Sequence, residues 1–542
     1  MLEATILEER RWTSAPRRAI AMPDTRGGAR WVVALIVLLI VGLALRLYEF
    51  RGFGALDDAA YAQIAHQMAS GMFRIGAYNG PAVFPLRVGI IYPTALLFRH
   101  AGVSEWTMVL FPFAISILSI VLIYVATNHF FGQRAAVIGA ALWAILPLDA
   151  FQASVLAPDL PAAFFSSLGI FGIIWTIDSR IRRTGALLFC GLAAGAALGV
   201  SWLCKESVAY AAPFCAGLVV AALRKDRRRC VVLWAGVALG AVTVLAGEMT
   251  VYHRATGDWL FHFHETERNY HQYKNAFFVA GSSLTSPHEH SYARAVLRRL
   301  FLDGPETILL HTQLMYLPLF AAIVCLHAWY SRRKSYLIPG LWFVTLGLMF
   351  NFASSSFTSY VPLVLFERYL FPILVPAVIL VSGFLATLFF DEQSQNDRLP
   401  RREGRFWGAL LVGCLVLVAA AKNHANRNFA PGWASEVRTL SRSLRPSDRV
   451  YTDILSIHGL EFFWSYPRTM RTVRFEDTAG ASSLVAGDYV LLNTAYLNWL
   501  VSMAGWWPTR TEPYEPPAFY GRIPSSWETT WTSGNATLYR IK

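Results

Sequence analysis

Long apolar runs alternate with short polar segments along most of the chain. Eleven runs are about 17 to 25 residues long, which is enough for a helix to cross a bilayer and satisfy its own backbone there. They begin near Trp31, Trp106, Ala135, Leu160, Gly185, Ser207, Cys230, Thr307, Tyr336, Tyr369 and Phe406. The pattern predicts an all-α polytopic membrane domain over residues 31–421, with about 11 transmembrane helices.

Three polar segments are too long to be turns between spans: residues 48–105, 253–306 and 422–542. In the first, Asp57–Met72 has apolar positions at helical spacing, which predicts an amphipathic helix at the membrane surface. The second apolar stretch of this segment, Leu86–Phe98, is short for a span and contains a proline. We expect an interfacial helix there. If it were a span instead, the charge alternation downstream would invert.

The tail, residues 422–542, has no further spanning run and contains more charged and turn residues. An amphipathic helix is predicted from the spacing of Trp433, Val437, Leu440 and Leu444, and short strands are predicted at 450–452, 472–475, 488–493 and 537–541. This pattern predicts a small α/β domain outside the membrane. Aromatic residues crowd its second half, and they suit sugar stacking, the membrane interface or the core of the domain.

Basic residues lie unevenly between the apolar runs. They cluster in the tail 1–30 and then at 180–183, 224–229, 332–334 and 398–405, after the fourth, sixth, eighth and tenth runs. Basic connections stay in the cytoplasm, so the N-terminal tail is predicted to be cytoplasmic and segments 48–105, 253–306 and 422–542 to lie outside. This topology accounts for most of the formal charge of +13. No basic stripe interleaves with stacking aromatics, so no nucleic-acid partner is predicted.

Composition agrees with a membrane protein. Hydrophobic residues make up 55% of the chain and charged residues 15%, whereas soluble proteins carry about 25% charged residues. An ordinary cytosolic enzyme is therefore excluded. All six cysteines fall in or at the ends of predicted spans, so neither a disulfide framework nor a cysteine-rich zinc site is predicted.

Two adjacent carboxylates, Asp57 and Asp58, stand at the start of the amphipathic helix, just outside the membrane. The helix dipole and the free backbone amides favour their ionised forms, but capping needs only one acid. The second therefore indicates a functional role. Asp159 adds an acid at the outer end of the fourth span, where it would serve equally as a helix cap.

Three cations lie on the same predicted side, against the bias for basic residues. Lys205 ends the fifth span next to Glu206, Arg368 opens the tenth span next to Glu367, and Arg87 lies in the first outer segment. Each suits a snorkelling residue or a clamp on the phosphate of a lipid headgroup, and Lys205 and Arg368 also suit local ion pairs with Glu206 and Glu367. The sequence leaves these interpretations open.

The second outer segment is rich in histidine and glutamate. These residues are His262, His264, Glu265, Glu267, His271, His288 and His290. Because they lack a ligand spacing such as His-Glu-x-x-His, we expect a polar acceptor-side loop and no metal site. No nucleotide-binding fingerprint is present either, so an ATP-driven pump is not predicted.

Taken in order, these residues resemble the motifs of the GT-C glycosyltransferases, closest to the protein O-mannosyltransferases and the lipid A aminoarabinose transferases. The resemblance covers about residues 30–390 and rests on Asp57, Asp58, Tyr61, Ala62, Ile64 and Ala65, then Pro158 and Asp159, Lys205, Arg368, Tyr369 and Pro372. It implies an enzyme of a bacterial inner membrane that moves a sugar from a polyprenyl-phosphate carrier to an acceptor outside the cytoplasm.

The resemblance also implies roles for single residues. Asp57 becomes the general base, and Asp159 a second acid near the acceptor or the sugar. Asp58 is expected to be catalytic as well, and it stands where a glutamate is common in the family. Contacts to the donor phosphate are expected from Lys205, Arg368, Arg87 and Tyr369, and candidate substrate contacts are Tyr61, Glu206 and His264. No cofactor is implied, and a divalent metal is not indicated.

Several alternatives stay open at the level of the sequence. A transporter or flippase for lipid-linked sugars also needs many spans and anion-binding cations, although no internal repeat is evident. A membrane glycan polymerase or ligase and a noncatalytic scaffold are the other rivals. The sugar and the acceptor, which is a glycan, a lipid or a protein hydroxyl, are not encoded in any motif.

Overall fold

A computed structural model describes residues 25–54, 56–75, 83–278, 292–356, 358–363, 365–390, 401–428, 432–475, 484–503, 519 and 521–542. The helices are Thr25–Tyr48 (α1), Asp57–Ala69 (α2), Val88–Ala101 (α3), Glu105–Phe131 (α4), Gln133–Ala144 (α5), Pro147–Gln152 (α6), Asp159–Asp178 (α7), Thr184–Cys204 (α8), Ala212–Lys225 (α9), Arg227–Thr256 (α10), Phe261–Phe278 (α11), Tyr292–Arg298 (α12), Gly304–Leu310 (α13), Leu317–Tyr330 (α14), Leu337–Phe352 (α15), Phe371–Phe390 (α16), Arg401–Asn428 (α17), Gly432–Ser441 (α18), Ile454–Phe463 (α19) and Thr494–Met503 (α20). The strands are Arg449–Thr452 (β1), Arg471–Arg474 (β2), Tyr489–Asn493 (β3), Trp527–Ser533 (β4) and Ala536–Ile541 (β5).

The predicted fold class is confirmed. Within the described ranges, nine helices are long and apolar enough to cross a membrane, and they coincide with nine of the eleven predicted runs. The interfacial candidates are the short helices α2 and α3, which pack on each other. The runs that begin near Ala135 and Thr307 differ from the prediction, because neither is a single long helix.

The run from Ala135 is split at Ile145 and Leu146. A proline begins the next helix, α6, and the residue before it is extended, as steric contact with a proline ring requires. The break leaves backbone carbonyls without helical partners in an apolar environment. They are satisfied by side chains of other helices: Arg46 donates to Ala144 O at 3.0 Å, and Asn423 donates to Ile145 O at 3.1 Å.

The run from Thr307 is split in the same way. Helix α13 ends at Leu310, and Met315 and Tyr316 adopt left-handed backbone conformations with φ of 53° and 55°. A right-handed helix cannot pass through such residues. Helix α14 then restarts at Leu317, with Pro318 in its first turn.

Helices α8 and α10 pack with their backbones in direct contact. Glycines face each other across this interface, and a Cβ added at Gly195 would lie closer than 3.0 Å to the carbonyl of Val237. Small residues allow such close approach, which is a common way for membrane helices to associate. This explains the recurrence of Gly191, Gly195 and Gly199 every four residues.

We expect Gly195→Ala to lower the free energy of unfolding by about 1–3 kcal/mol, since the added methyl group must push the two backbones apart. The thermal unfolding midpoint in detergent measures the effect. Gly217→Ala in α9 is the matched control, because no atom lies within 4 Å of its added Cβ. Equal midpoints for the two variants would contradict the close-packing explanation.

The C-terminal domain contains a mixed sheet in the order β2-β1-β3-β5-β4. Strand β1 pairs in parallel with β2 and β3, whereas β5 pairs antiparallel with β3 and β4. The four predicted strands are present, and β4 is an additional strand within the aromatic-rich stretch. Apolar side chains of α18 and α19 share a buried cluster with those of α2 and α3, so the domain rests on the helix that begins with Asp57.

Candidate functional site

Four charged residues that are distant in sequence meet at one end of the helical bundle. The Nη2 atom of Arg368 donates to Asp57 Oδ2 at 2.8 Å, and its Nε atom lies 3.7 Å from Asp159 Oδ2. The ammonium of Lys205 donates to the other oxygen of Asp159. The two acids and two cations therefore form an alternating chain of ion pairs in the order Asp57, Arg368, Asp159 and Lys205. The Asp57 side chain is 41% exposed and that of Asp159 only 3%, so Asp57 offers the accessible carboxylate.

The ends of four helices place these groups. Asp57 and Asp159 are the first residues of α2 and α7, Lys205 follows α8, and Arg368 lies in a 3-10 turn, Glu367–Leu370, just before α16. All four helix ends must lie on one side of the membrane.

A cavity of about 100 Å³ adjoins this cluster. Lys205 stands at its wall with its Nζ atom 3.3 Å from the centre of the Tyr369 ring. The remaining walls mix aromatic and hydroxyl side chains, which include Trp202, Tyr210, Phe263, Thr266, Tyr270, Ser354 and Ser355. A cation with hydroxyl donors in an enclosed space suits an anionic group.

A second charged network lies on the other side of Lys205. Arg87 forms an ion pair with Glu206, and the other oxygen of Glu206 lies 3.0 Å from His262 Nε2. The Nδ1 atom of His262 lies 2.7 Å from Glu248. Burial lowers the pKa of His262, but the hydrogen bonds and charges of both glutamates outweigh it and raise this pKa to about 9. The network therefore holds a protonated imidazole at neutral pH. Burial also disfavours the charged form of Arg87, but the nearby Glu206 carboxylate raises the pKa of Arg87 above its usual value.

Residues 88–251 match the family model described as dolichyl-phosphate-mannose-protein mannosyltransferase. The chain is similar in structure to ArnT from Cupriavidus metallidurans, solved bound to undecaprenyl phosphate, with a TM-score of 0.59 and 14% identity over 94% of this chain and 97% of that chain. The chain has the GT-C fold.

Two further structures have the same architecture. The oligosaccharyltransferase of Archaeoglobus fulgidus in its apo form has a TM-score of 0.56 and 13% identity, over 88% of this chain and 71% of that chain. The enzyme AglB of the same organism, in complex with an inhibitory peptide and a dolichol-phosphate, has a TM-score of 0.52 and 14% identity over the same shares. No curated protein sequence matches the chain. The resemblance to GT-C enzymes is thus confirmed for the fold of a multi-pass membrane protein.

Asp58, the other member of the acid pair, makes different contacts from Asp57. It is 3% exposed, and its carboxylate accepts hydrogen bonds from the backbone amides of Gly54 and Leu56. Burial raises the pKa of Asp58 to about 6, against these hydrogen bonds. Its observed contacts hold the connection before α2.

Of the predicted substrate contacts, His264 lies outside the charged cluster, whereas the Tyr61 phenol lies close enough to interact electrostatically with Asp57, Asp159 and Arg368. His264 is exposed and its Nδ1 atom lies 2.7 Å from Asp258. Tyr61 is 3% exposed, and its ring meets the edge of Phe84 with centroids 5.0 Å apart. Burial raises the pKa of Tyr61, so its phenol stays neutral. Glu206, the third candidate, does line the cavity.

Sequence reasoning missed two members of the site. Glu248 lies in α10, and a carboxylate inside an apolar span is itself a signal of function. His262 is predicted to lie in a polar loop, whereas in the structure it is buried between Glu206 and Glu248. His288 and His290 lie outside the described residues. Among the residues that the structure does describe, no group of three or more His, Cys, Asp or Glu side chains is arranged to hold a metal ion.

We expect the stability of the protein to fall as the pH rises through about 9, because His262 then loses its proton between Glu206 and Glu248. A group with a raised folded pKa stabilises fully below its unfolded pKa, here about 6.5, and loses this contribution above its folded pKa. His262→Gln should flatten the fall in thermal unfolding midpoint between pH 6.5 and 9. The exposed neighbour serves as control, since His264→Gln should keep the wild-type slope. A wild-type slope in His262→Gln would refute the assignment.

Proposed function

We propose that this membrane protein is a glycosyltransferase that moves a sugar from a polyprenyl-phosphate carrier to a hydroxyl acceptor. The observation that carries the proposal is the chain of Asp57, Arg368, Asp159 and Lys205 beside a cavity at one end of the bundle. An accessible carboxylate paired with one cation, and a second cation held by the same acid chain, supply the two functions that this reaction needs: a base and a clamp for the departing phosphate.

In the proposed reaction, the acceptor hydroxyl gives its proton to Asp57 as its oxygen attacks the anomeric carbon. The bond between that carbon and the phosphate oxygen breaks, and its electron pair leaves with the lipid phosphate. Lys205 and Arg368 stabilise the charge that develops on the phosphate. The attack comes from the face opposite the leaving group, so the product has inverted anomeric configuration. Asp159 orients both cations through its two oxygens.

Arg87 and Glu206 belong to a network that borders the same cavity. Tyr369 places an aromatic face on the ammonium of Lys205, a favourable cation–π contact. In this arrangement Lys205 and Tyr369 contact the donor phosphate, and Arg87 acts through Glu206 at the cavity wall. Tyr61 interacts electrostatically with Asp57 and Arg368 and stays a candidate substrate contact.

The lipid part of the donor lies in the bilayer and presents its phosphate at the membrane edge. Two solved structures of the same fold are described with such lipids, undecaprenyl phosphate in ArnT and a dolichol-phosphate in AglB. We propose that the site faces the outside of a bacterial inner membrane, because basic connections predict a cytoplasmic N-terminus. Residues 31–421 then form the catalytic domain and 422–542 the outer domain.

A transfer assay tests the proposal. Purified protein in nanodiscs is supplied with a panel of radiolabelled polyprenyl-phosphate pentoses, hexoses, aminosugars and uronic acids, with membrane extract as the source of acceptors. We expect transfer from one donor by the wild-type protein and none by Asp57→Asn. Movement of a lipid-linked sugar across vesicle membranes without any transfer, at equal rates in both proteins, would instead identify a transporter.

A further inference from the structure

The connection that leads into Asp57 lies beneath the C-terminal domain. Phe53, four residues earlier, is 1% exposed. Its ring stacks on that of Phe462 with centroids 4.3 Å apart, and meets the edge of Phe463 at 5.6 Å. Both partners belong to α19 of the C-terminal domain. This domain therefore packs directly on the segment that carries the proposed base.

One carboxylate oxygen fixes the backbone of the same residue. Glu105 Oε1 accepts the Phe53 backbone N–H at 3.0 Å and also a hydrogen bond from Arg438. Glu105 is the first residue of α4, and Arg438 belongs to α18, with its guanidinium 5.4 Å from the centre of the Phe463 ring. A helix of the bundle, the connection before Asp57 and the C-terminal domain thus meet at a single oxygen atom.

Other contacts involve the residues next to Phe53. Asp58 accepts the backbone N–H groups of Gly54 and Leu56. Gly52 has a φ of +74°, a left-handed conformation that favours glycine, and a Cβ there would clash with Glu105. Hydrogen bonds to Asp58 therefore fix the backbone that follows Phe53. Asp57 follows with its carboxylate directed to Arg368.

We propose that Arg438 and Glu105 are positioning residues for Asp57, which makes the C-terminal domain part of the catalytic unit. The kinetic part of this inference rests on the proposed transfer reaction. Neither side chain contacts the reacting atoms, so its loss should lower kcat and leave the KM for the lipid donor nearly unchanged. A displacement of about 1 Å at a reacting group costs on the order of 100-fold in rate.

The first experiment compares Arg438→Gln with Arg438→Lys in the full-length protein. We expect kcat to fall about 10- to 100-fold in Arg438→Gln, with a KM for the donor close to that of the wild type. Arg438→Lys keeps a cation that reaches Glu105 and should recover most of the rate. The matched control is Arg442→Gln, one helical turn further on and exposed, which should behave as the wild type.

The second experiment tests the connection through Glu105. Glu105→Gln keeps an oxygen for the Phe53 amide but removes the charge, so its effect on kcat should not add to that of Arg438→Gln in the double variant. Fully additive effects would overturn the inference. So would a loss of kcat in Arg438→Gln no larger than in the control.

Hydrogen–deuterium exchange provides a readout that is independent of activity. We expect faster amide exchange over residues 49–57 in Arg438→Gln than in Arg442→Gln, with unchanged exchange in α7. Unchanged exchange over 49–57 would overturn the inference even if the enzyme is active. If the wild-type protein transfers no sugar, the proposed function fails, and the exchange data still decide whether the C-terminal domain holds this segment.

Discussion

Asp57→Asn is expected to lower kcat/KM for sugar transfer by about 10²–10⁴-fold, which is the usual contribution of a positioned general base. Asparagine has the same shape, and its amide oxygen can still accept the hydrogen bond from Arg368. It cannot take the proton of the acceptor hydroxyl. Initial rates at donor concentrations well below KM, with the acceptor saturating, measure the loss, and binding of the donor lipid should stay close to that of the wild type.

The adjacent carboxylate provides the control for this prediction. Asp58→Asn removes an acid from the same turn, but Asp58 is buried and accepts backbone amides. We expect lower thermal stability and a smaller loss of activity. If Asp58→Asn abolishes transfer while Asp57→Asn leaves it intact, the assignment of the base to Asp57 is wrong.

The long helices could be predicted because bilayer thickness fixes the length of an apolar run. The two interruptions could not, since their partners come from distant parts of the chain. The carbonyls of Ala144 and Ile145 have no helical partner, and they accept hydrogen bonds from Arg46 of α1 and Asn423 of α17. The apolar sequence around the break does not indicate which residues donate these hydrogen bonds. Only the proline at 147 marks the place, and prolines also occur inside continuous spans such as α4.

The charged cluster was predicted as a set, but the pairing within it was not. Sequence adjacency suggests that Lys205 pairs with Glu206. In the structure Lys205 pairs with Asp159, and Glu206 pairs with Arg87. Successive side chains point in different directions, so neighbours in sequence rarely face each other. Which acid pairs with which cation therefore depends on how the helices pack against each other.

The two histidines of α11 illustrate the same limit. His262 and His264 are two residues apart, so they point to nearly opposite faces of the helix. One is buried between Glu206 and Glu248, and the other is exposed beside Asp258. Their sequence environment is similar, and only the packing of α11 against α10 decides which of them joins the site.

Arg368→Gln is expected to lower kcat/KM by about 10²–10³-fold, comparable to the removal of one preorganised group that stabilises developing charge. Arg368 contacts both Asp57 and Asp159, so its loss also leaves two acids facing the donor phosphate with only Lys205 to offset them. Binding of a polyprenyl phosphate without sugar should weaken in parallel, which separates this variant from Asp57→Asn.

The geometry of the guanidinium gives this prediction a second test. Its Nη2 and Nε atoms reach two different carboxylates, whereas the ammonium of a lysine is a single point charge. Arg368→Lys should therefore restore lipid-phosphate binding more fully than the transfer rate, because charge is kept while the alignment of Asp57 is not. Arg298→Gln, which removes an exposed ion pair with Asp303, should leave both quantities unchanged. Wild-type transfer by Arg368→Gln would show that the phosphate is held elsewhere, and the catalytic role of the whole acid–cation chain would then have to be abandoned.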